Sequence, residues 1–300
     1  MKVRIGVGVL AMCVMPLAFA QQDLSKVVIE SQKLAEGLYM LTGAGGNLGA
    51  SVGEDGIVLI DDQFQELTPR IQEALAKLSP KPVRFVINTH WHFDHVGGNE
   101  NMAKAGAVIL AHGNVRRRMS TTQLMKMFNR EMPPSPAGAL PIVTFDSNVT
   151  LHLNGEELYV FHVDNAHTDG DSLILFKKAN VLHTGDTLFN GFYPFIDADS
   201  GGSIDGMIAS ADKVLGMVNE QTKIIPGHGP LASPKDLKAF RDMLQKLRDN
   251  VAALIKEGKT LEQAVAAAPT KDLDAVWGKG FLKPEQVAQM VYMDLKRTVK

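Results

Sequence analysis

The segment His90-Trp91-His92-Phe93-Asp94-His95 puts three imidazoles and a carboxylate within six residues. His90 and His92 are two apart, so in extended chain their side chains leave on the same side. Asp94 and His95 follow where the chain has to turn, just before Val96-Gly97-Gly98, and a turn there aims all four donors into one pocket. Imidazole and carboxylate suit Zn²⁺. Three protein ligands with a fourth position open make a catalytic site, whereas a structural zinc site is closed and usually rich in thiolate. The only cysteine of the 300 residues is Cys13, which excludes a disulfide framework and a thiolate cluster.

Such donors need strands and tight turns to deliver them. Val83-Arg84-Phe85-Val86-Ile87 reads as a strand that feeds directly into Asn88-Thr89-His90. Upstream, strands over 38–41 and 50–53 flank a glycine-rich loop, Gly43-Ala44-Gly45-Gly46-Asn47, and a buried strand over 57–60 ends in Asp61-Asp62. The spacing of Ile71, Leu75 and Leu78 predicts a helix over 68–78. A helix over 99–105, a strand over 107–110 and a helix over 115–130 follow, and Pro133-Pro134-Ser135-Pro136 must be loop. Strands over 150–153 and 158–163 alternate around Asn154-Gly155, a hairpin signal. Further strands are expected over 172–176, 180–183 and 222–225. Helices dominate afterwards. Ser233-Pro234 with Asp236 reads as a capping box opening a helix with Leu237, Phe240, Leu244, Leu247, Val251 and Leu254 on one stripe. Thr260 with Gln263 caps a short helix, and Pro284 opens a last one with Val287, Met290, Val291 and Leu295 on one face. The class is α/β.

The run Thr89-His90-Trp91-His92-Phe93-Asp94-His95-Val96-Gly97-Gly98 resembles the signature of the metallo-β-lactamase-fold hydrolases, and four further marks of that family have matches in order. Asp61, ending an early strand, resembles the family's structural aspartate. His167, in Ala166-His167-Thr168-Asp169-Gly170-Asp171, resembles its lone downstream histidine. Asp186, in Thr184-Gly185-Asp186-Thr187, resembles its bridging carboxylate, and His228, in Pro226-Gly227-His228-Gly229, its last ligand. The resemblance covers roughly residues 28–255. It implies a four-layer αββα sandwich, here with a C-terminal helical extension. It implies two Zn²⁺ ions, or other divalent metals: one held by His90, His92 and His167, the second by Asp94, His95 and His228, with Asp186 between them. Two cations sharing one water lower its pKa toward neutral, so a metal-bridged hydroxide is the implied nucleophile. One zinc would polarise the scissile carbonyl and the other would stabilise the developing anion, while Asp94 would orient the water and relay a proton. His183, beside the bridging turn, is expected to support the ligands from behind, and His112, His152 and His162 to have structural or surface roles. Residues 43–47, a methionine-bearing helix with Met119, Met125 and Met127, and residues 189–196 are expected to wall the pocket, with Asn47 and Tyr193 touching substrate.

Residues 1–20 read as an export signal: Lys2 and Arg4, an apolar run from Ile5 to Phe19, and Ala18-Phe19-Ala20 before Gln21. The run is about 15 residues, short of the ~20 that span a bilayer, so no stable membrane insertion is expected after cleavage. Leu10-Ala11-Met12-Cys13 is a faint lipoprotein box in which Met12 is too large for the usual small residue. The expected organisation is a signal peptide over 1–20, a catalytic domain over 21–255 and a helical extension over 256–300 packed on the same domain, in a periplasmic protein. Loss of Lys2 and Arg4 moves the formal charge from −2 to −4. Polynucleotide binding usually needs a basic excess, so the expected partner is a small-molecule substrate and not a nucleic acid.

The expected activity is cleavage of an amide or ester bond in a lactone, ester or β-lactam. Within the family, subclass B1 and B2 β-lactamases have Cys in the place of Asp186 and B3 enzymes usually Ser, whereas Asp is typical of its thioesterases, lactonases and phosphodiesterases. B1 enzymes place a Lys three residues later to grip a substrate carboxylate; here that residue is Phe189. The ligand set is nonetheless B3-like, so a true B3-like metallo-β-lactamase is the alternative. A non-catalytic periplasmic binding protein retaining the fold would lack ligands, and all seven are present. An iron-dependent oxidoreductase of the family usually has an acidic residue in the place of His92.

Overall fold

The structure, a computed structural model, describes residues 23–298; the expected signal peptide and Cys13 lie outside them. Two mixed sheets face each other. The first contains β1 (Glu30–Ala35), β2 (Leu38–Thr42), β3 (Leu48–Gly53), β4 (Gly56–Ile60), β5 (Val83–Ile87) and β6 (Val108–His112). A short side hairpin, β7 (Gln123–Met125) and β8 (Arg130–Met132), precedes the first sheet's last strand, β9 (Val143–Phe145). Pairing is antiparallel from β1 to β4 and parallel from β4 through β5 and β6 to β9. The second sheet runs in the order β10 (Asn148–Leu153), β11 (Glu156–His162), β12 (Ser172–Phe176), β13 (Val181–Phe189) and β14 (Lys223–His228), with only the last pair parallel.

Side-chain alternation along the strands builds the layers. In β4, Val58 and Ile60 join the cluster between the sheets, while Ile57 and Leu59 face outward under helix α1 (Thr68–Leu78). Val86 and Ile87 of β5, and Ile109 and Leu110 of β6, divide in the same way. Across the interface, Leu158, Val160, Ile174, Phe176 and Ile225 complete the inner layer. The opposite face of the second sheet, with Phe161, Leu173, Leu182 and Ile224, is covered by helices, which completes the αββα order. Strand β4, buried at every position, reads as a continuous apolar run, as expected when neither face meets water, whereas β13, equally buried, carries the polar residues of the site at 183–187.

The remaining helices are α2 (Phe93–Val96), α3 (Asn99–Lys104), α4 (Gly113–Met119), α5 (Ile204–Leu215), α6 (Pro234–Lys256), α7 (Leu261–Ala266), α8 (Asp274–Trp277) and α9 (Pro284–Thr298). Val287, Met290, Val291 and Leu295 of α9 pack in the same cluster as Phe240, Leu244 and Leu247 of α6. That stripe therefore packs on its own chain. Among the described residues no helix is long and apolar enough to cross a membrane.

The helix expected over 115–130 ends at Met119. Ser120 Oγ and Thr121 Oγ1 donate to the carbonyls of Arg116 and Arg117, and Gln123 Nε2 donates to those of Arg118 and Thr121. Side-chain hydroxyls thus satisfy the last turn, and the chain leaves as a β-hairpin. Helix α5 had no counterpart in the sequence reading. Gly206 inside it weakens helix propensity, yet a Cβ there would lie 1.8 Å from the Asn165 carbonyl oxygen, so the site packs only glycine. Its signals were Ser203, which caps Gly206 N–H, and apolar residues at 204, 207, 208, 211 and 214.

Both sequence-read capping boxes form. Ser233 Oγ accepts from Asp236 N–H, and Asp236 Oδ2 accepts from Ser233 N–H at 2.8 Å. Ser233→Ala should lower stability by about 1 kcal/mol. In urea unfolding the midpoint should fall with an unchanged slope.

Candidate metal centre

All the candidate donors lie at one edge of the sandwich. Asp61 follows β4, residues 88–95 follow β5, His167 lies in the β11–β12 connection, Asp186 interrupts β13, and His228 ends β14. The parallel pairs β4–β5 and β13–β14 direct their C-terminal ends to this edge, so the layers need only irregular turns to complete a site. In β13 the pairing with β14 shifts register around Gly185, which sits at φ +51° with Thr89 2.6 Å from where its Cβ would be. Only glycine tolerates that conformation and contact, and the kink brings Asp186 to the edge.

Two donor groups result. In the first, His92 Nδ1 is 3.1 Å from His90 Nε2 and 2.9 Å from His167 Nε2. Asp186 Oδ2 completes it, 3.8 Å from His90 Nε2 and 3.5 Å from His167 Nε2. In the second, His95 Nε2 is 3.3 Å from His228 Nε2 and 3.7 Å from Asp94 Oδ2, and His228 Nε2 is 3.3 Å from Asp94 Oδ2. Asp186 faces this group too, Oδ1 at 3.1 Å from His95 Nε2 and Oδ2 at 3.4 Å from His228 Nε2.

The hydrogen-bond network assigns the imidazole tautomers. His95 Nδ1–H donates to Asp61 Oδ2 at 2.8 Å and His167 Nδ1–H to the Phe195 carbonyl at 2.8 Å. His90 Nδ1–H donates to Thr89 Oγ1 at 3.0 Å, whose own proton goes to Asp61 Oδ2. His92 is turned the other way, Nε2–H donating to Asp197 Oδ2 at 2.9 Å. The three rings of the first group, His90, His92 and His167, therefore have their outer nitrogen bound and their inner lone pairs aimed at one another. Lone pairs at this spacing repel unless a cation lies between them. Tetrahedral bonds of about 2.0–2.1 Å give ligand–ligand edges of about 3.3 Å, close to those observed. Asp186 Oδ1 is buried, and its neighbour His95 Nε2 at 3.1 Å lies outside good hydrogen-bond geometry. The residues present fit a divalent metal in each group.

The field of the site suits cations. Burial would raise both carboxyls, but His95 and His228 outweigh it, holding Asp186 well below the usual range and Asp94 at about 2. Burial lowers His90 well below its ordinary value and takes His167 to about 4, so both stay neutral. His95 and His228 go the other way: burial opposes their charge, yet the Asp186 and Asp94 carboxylates hold His95 well above its usual value and His228 at about 9. A metal entering the second group would replace those protons.

Access is from one side. His90, His92, His95 and His167 are at most 3 % exposed, whereas the side chains of Asp94 and His228 are 21 % and 22 % exposed. Phe189 stacks on His228 with ring centroids 5.2 Å apart, and Phe195 lies against His92 and His167. Gly46 packs on His95, where a Cβ would lie 2.1 Å from the ring. Met119 and Met125 are buried in the helix-side core.

Asp61, at φ +60°, also accepts from Thr89 N–H, and so ties β4 to the histidine loop. His183 is buried behind the Gly185 kink: Nε2–H donates to the Asn47 carbonyl, Nδ1 accepts from Gly185 N–H, and burial lowers it to about 4. His112 and His162 stack on each other at 3.9 Å, and His152 is exposed.

Both expected substrate contacts are engaged within the protein. Asn47 Nδ2 donates to the carbonyls of Pro226 and Gly229, both at 2.9 Å, so its amide is spent on fixing the end of β14. Tyr193 is fully buried, with its hydroxyl donating to Asp274 Oδ1 at 2.9 Å under α8. Burial, helped by Asp274, pushes that phenol above its usual range. Sequence reasoning missed Thr89, Phe195 and Asp197 as partners of the imidazoles. Thr89 adjoins the histidine run and was open to notice; Phe195 acts through its carbonyl, and Asp197 carries no spacing signal.

Residues 49–232 match the family model described as "Metallo-beta-lactamase superfamily". A "Metallo-beta-lactamase type 2" of Bacillus cereus is 25% identical over 191 residues, covering 63% of this chain and 69% of that protein. A "Hydroxyacylglutathione hydrolase" of Pelagibacter ubique is 27% identical over 148 residues, 49% of this chain and 52% of its own length. Among solved structures, a metallo-beta-lactamase from Pontibacter korlensis superposes with a TM-score of 0.61 at 18% identity, covering 72% of this chain and 99% of that one. The sec-alkylsulfatase Pisa1 from Pseudomonas sp. gives 0.66 at 19% identity, covering 90% of this chain and 50% of that one. These likenesses to solved structures carry the fold, and the match of the family model over more than half of the sequence carries the family: the chain belongs to the metallo-beta-lactamase superfamily and is a metallo-hydrolase.

Proposed function

We propose that the protein is an exported zinc hydrolase that holds two metal ions and cleaves an ester or amide bond of a small molecule. The observation that carries this reading is the pair of donor groups sharing one buried carboxylate, Asp186. His90, His92 and His167 would hold one ion, Asp94, His95 and His228 the other, with Asp186 between them. Bound there, the ions would supply Lewis acidity and a water acidic enough to attack near neutral pH.

The protein's own groups do the rest. Substrate enters from the side of Asp94 and His228, the two exposed donors. Asp94, ionised at neutral pH, takes the proton of the attacking water on its carboxylate and passes it to the leaving oxygen or nitrogen. Asp61, Thr89, Phe195 and Asp197 keep the imidazoles in the tautomers that face the metals. Phe189, buried against His228, puts an apolar ring at the position where a B1 β-lactamase carries its carboxylate-gripping lysine. The missing cation favours esters and lactones over β-lactams, and the relatives named hydroxyacylglutathione hydrolase and metallo-beta-lactamase support a hydrolase. The basic, apolar, small-x-small pattern of residues 1–20 supports export to the periplasm, and a charge of −4 without it supports a small-molecule partner over nucleic acid.

The purified chain should hydrolyse members of a panel of aryl esters, a thioester, a homoserine lactone, nitrocefin and a carbapenem, and a chelator should abolish that turnover. Asp94→Asn and His167→Ala should each lower kcat/KM by at least about 10²-fold with the fold retained by circular dichroism, consistent with loss of a general acid–base group or of a ligand. An active His167→Ala protein, or turnover indifferent to chelator, would contradict the reading. Asp61→Asn should cost about 2–5 kcal/mol in urea unfolding, because an amide NH2 cannot accept from Thr89 and His95.

A further inference from the structure

The segment 195–197 touches two of the three imidazoles in the first donor group, and α9 in turn touches that segment. The Phe195 carbonyl accepts from His167 Nδ1–H at 2.8 Å, and Asp197 Oδ2 accepts from His92 Nε2–H at 2.9 Å. Asp197 N–H also donates to the His167 carbonyl at 2.9 Å. Between them, Ile196 N–H points to Met290 Sδ of α9 at 3.2 Å. One turn further along α9, Asp294 Oδ2 accepts from Ile204 N–H at 2.8 Å. Arg297 donates to the carbonyls of Ala198 and Gly202 and is itself held by Asp294 at 3.0 Å. Met290, Asp294 and Arg297 are spaced four and three apart, so they share one helix face. Asp197 and Asp294 are 1 % and 2 % exposed, so both carboxylates work away from bulk water.

An acceptor on the outer nitrogen of a ligating imidazole fixes its tautomer and ring direction and makes the inner nitrogen more basic. His92 depends on this more than its neighbours, because it alone presents Nδ1 inward. Nδ1 adjoins the Cβ-bearing carbon, so a small swing of the ring moves Nε2 far but must be stopped at Nε2. Asp197 provides that stop. Among the described residues the second donor group has no such link: the outer nitrogen of His95 is held by Asp61, at the end of β4 in the other sheet.

We propose that Asp197 is a positioning residue for His92, and that α9, through Met290 and Arg297, sets the metal affinity of the His90, His92 and His167 group by holding segment 195–197. The inference rests on the reading of that group as a metal site. The C-terminal helix then acts on one metal of the pair and not on the other.

The test is a Co²⁺ titration of the chelator-stripped full chain, followed by the metal's visible absorption and by competition with a chelating dye. Asp197→Ala should weaken one of the two binding steps 10- to 100-fold, the usual cost of losing such a partner. Asp197→Asn, which keeps a neutral acceptor oxygen, should recover part of the loss. Met290→Leu and Arg297→Gln should weaken the same step by less, and should add little when combined with Asp197→Ala, because they act through it. Met290→Leu nearly conserves volume, so it tests α9 even if Arg297→Gln fails to fold. Unchanged affinity in Asp197→Ala, or equal weakening of both steps, would overturn the role of Asp197. Unchanged affinity in Met290→Leu and in folded Arg297→Gln would overturn that of α9. If the unsubstituted chain takes up no Co²⁺, it is the metal reading itself that fails.

Discussion

Asp186 is a carboxylate buried to 5 % exposure among four imidazoles, with Oδ2 facing both donor groups and Oδ1 facing His95 of the second. An ionised group in that setting is expensive unless positive charge meets it. The rest of the site is arranged around this constraint. Gly185 kinks β13 to bring the carboxylate to the edge, His183 braces the kink, and the two parallel strand pairs direct the other donors to the same place. The imidazoles of the first group carry their protons on the outside, where Thr89, Phe195 and Asp197 accept them, so that its inner face is rich in lone pairs, and Asp61 holds His95 from outside in the second. A cation resolves all of these demands together.

The sandwich supplies stiffness where it matters. Buried strands with apolar residues on both faces leave little freedom at their ends, and the donors sit within a few residues of those ends. The two sheets contribute to both donor groups: His90, His92, Asp94 and His95 come from the first and His167, Asp186 and His228 from the second. Sliding of one sheet over the other would pull the groups apart, so inter-sheet packing of residues such as Ile60, Ile87, Ile174 and Ile225 is part of the metal site in a physical sense.

Much of this was legible in the sequence because it is local. Helix α1 was readable from three apolar residues and α6 and α7 from their capping boxes, and the histidine run announced its own chemistry through spacing. His167, Asp186 and His228 were legible only through family resemblance, since nothing in their surroundings links them to residues about 70–140 positions away. What failed was non-local or competitive. The helix over 115–130 obeyed an apolar pattern, but hydroxyl groups at 120–121 gave the backbone another way to satisfy itself. Tyr193 lies in the right stretch of chain and faces the wrong way, drawn inward by Asp274. Asn47 has the right neighbours, but its Nδ2 is spent on the Pro226 and Gly229 carbonyls. Asp197 resembles any surface aspartate until the fold places His92 against it.

The central claim is that this edge of the sandwich binds two metal ions around one carboxylate. Native mass spectrometry of the chelator-stripped protein titrated with zinc tests it most directly. The account predicts a mass gain of two zinc ions per chain that saturates there, and loss of stable double loading in Asp186→Ala. Saturation at one ion or none in the unsubstituted chain, or double loading as tight in Asp186→Ala as in the unsubstituted chain, would contradict it.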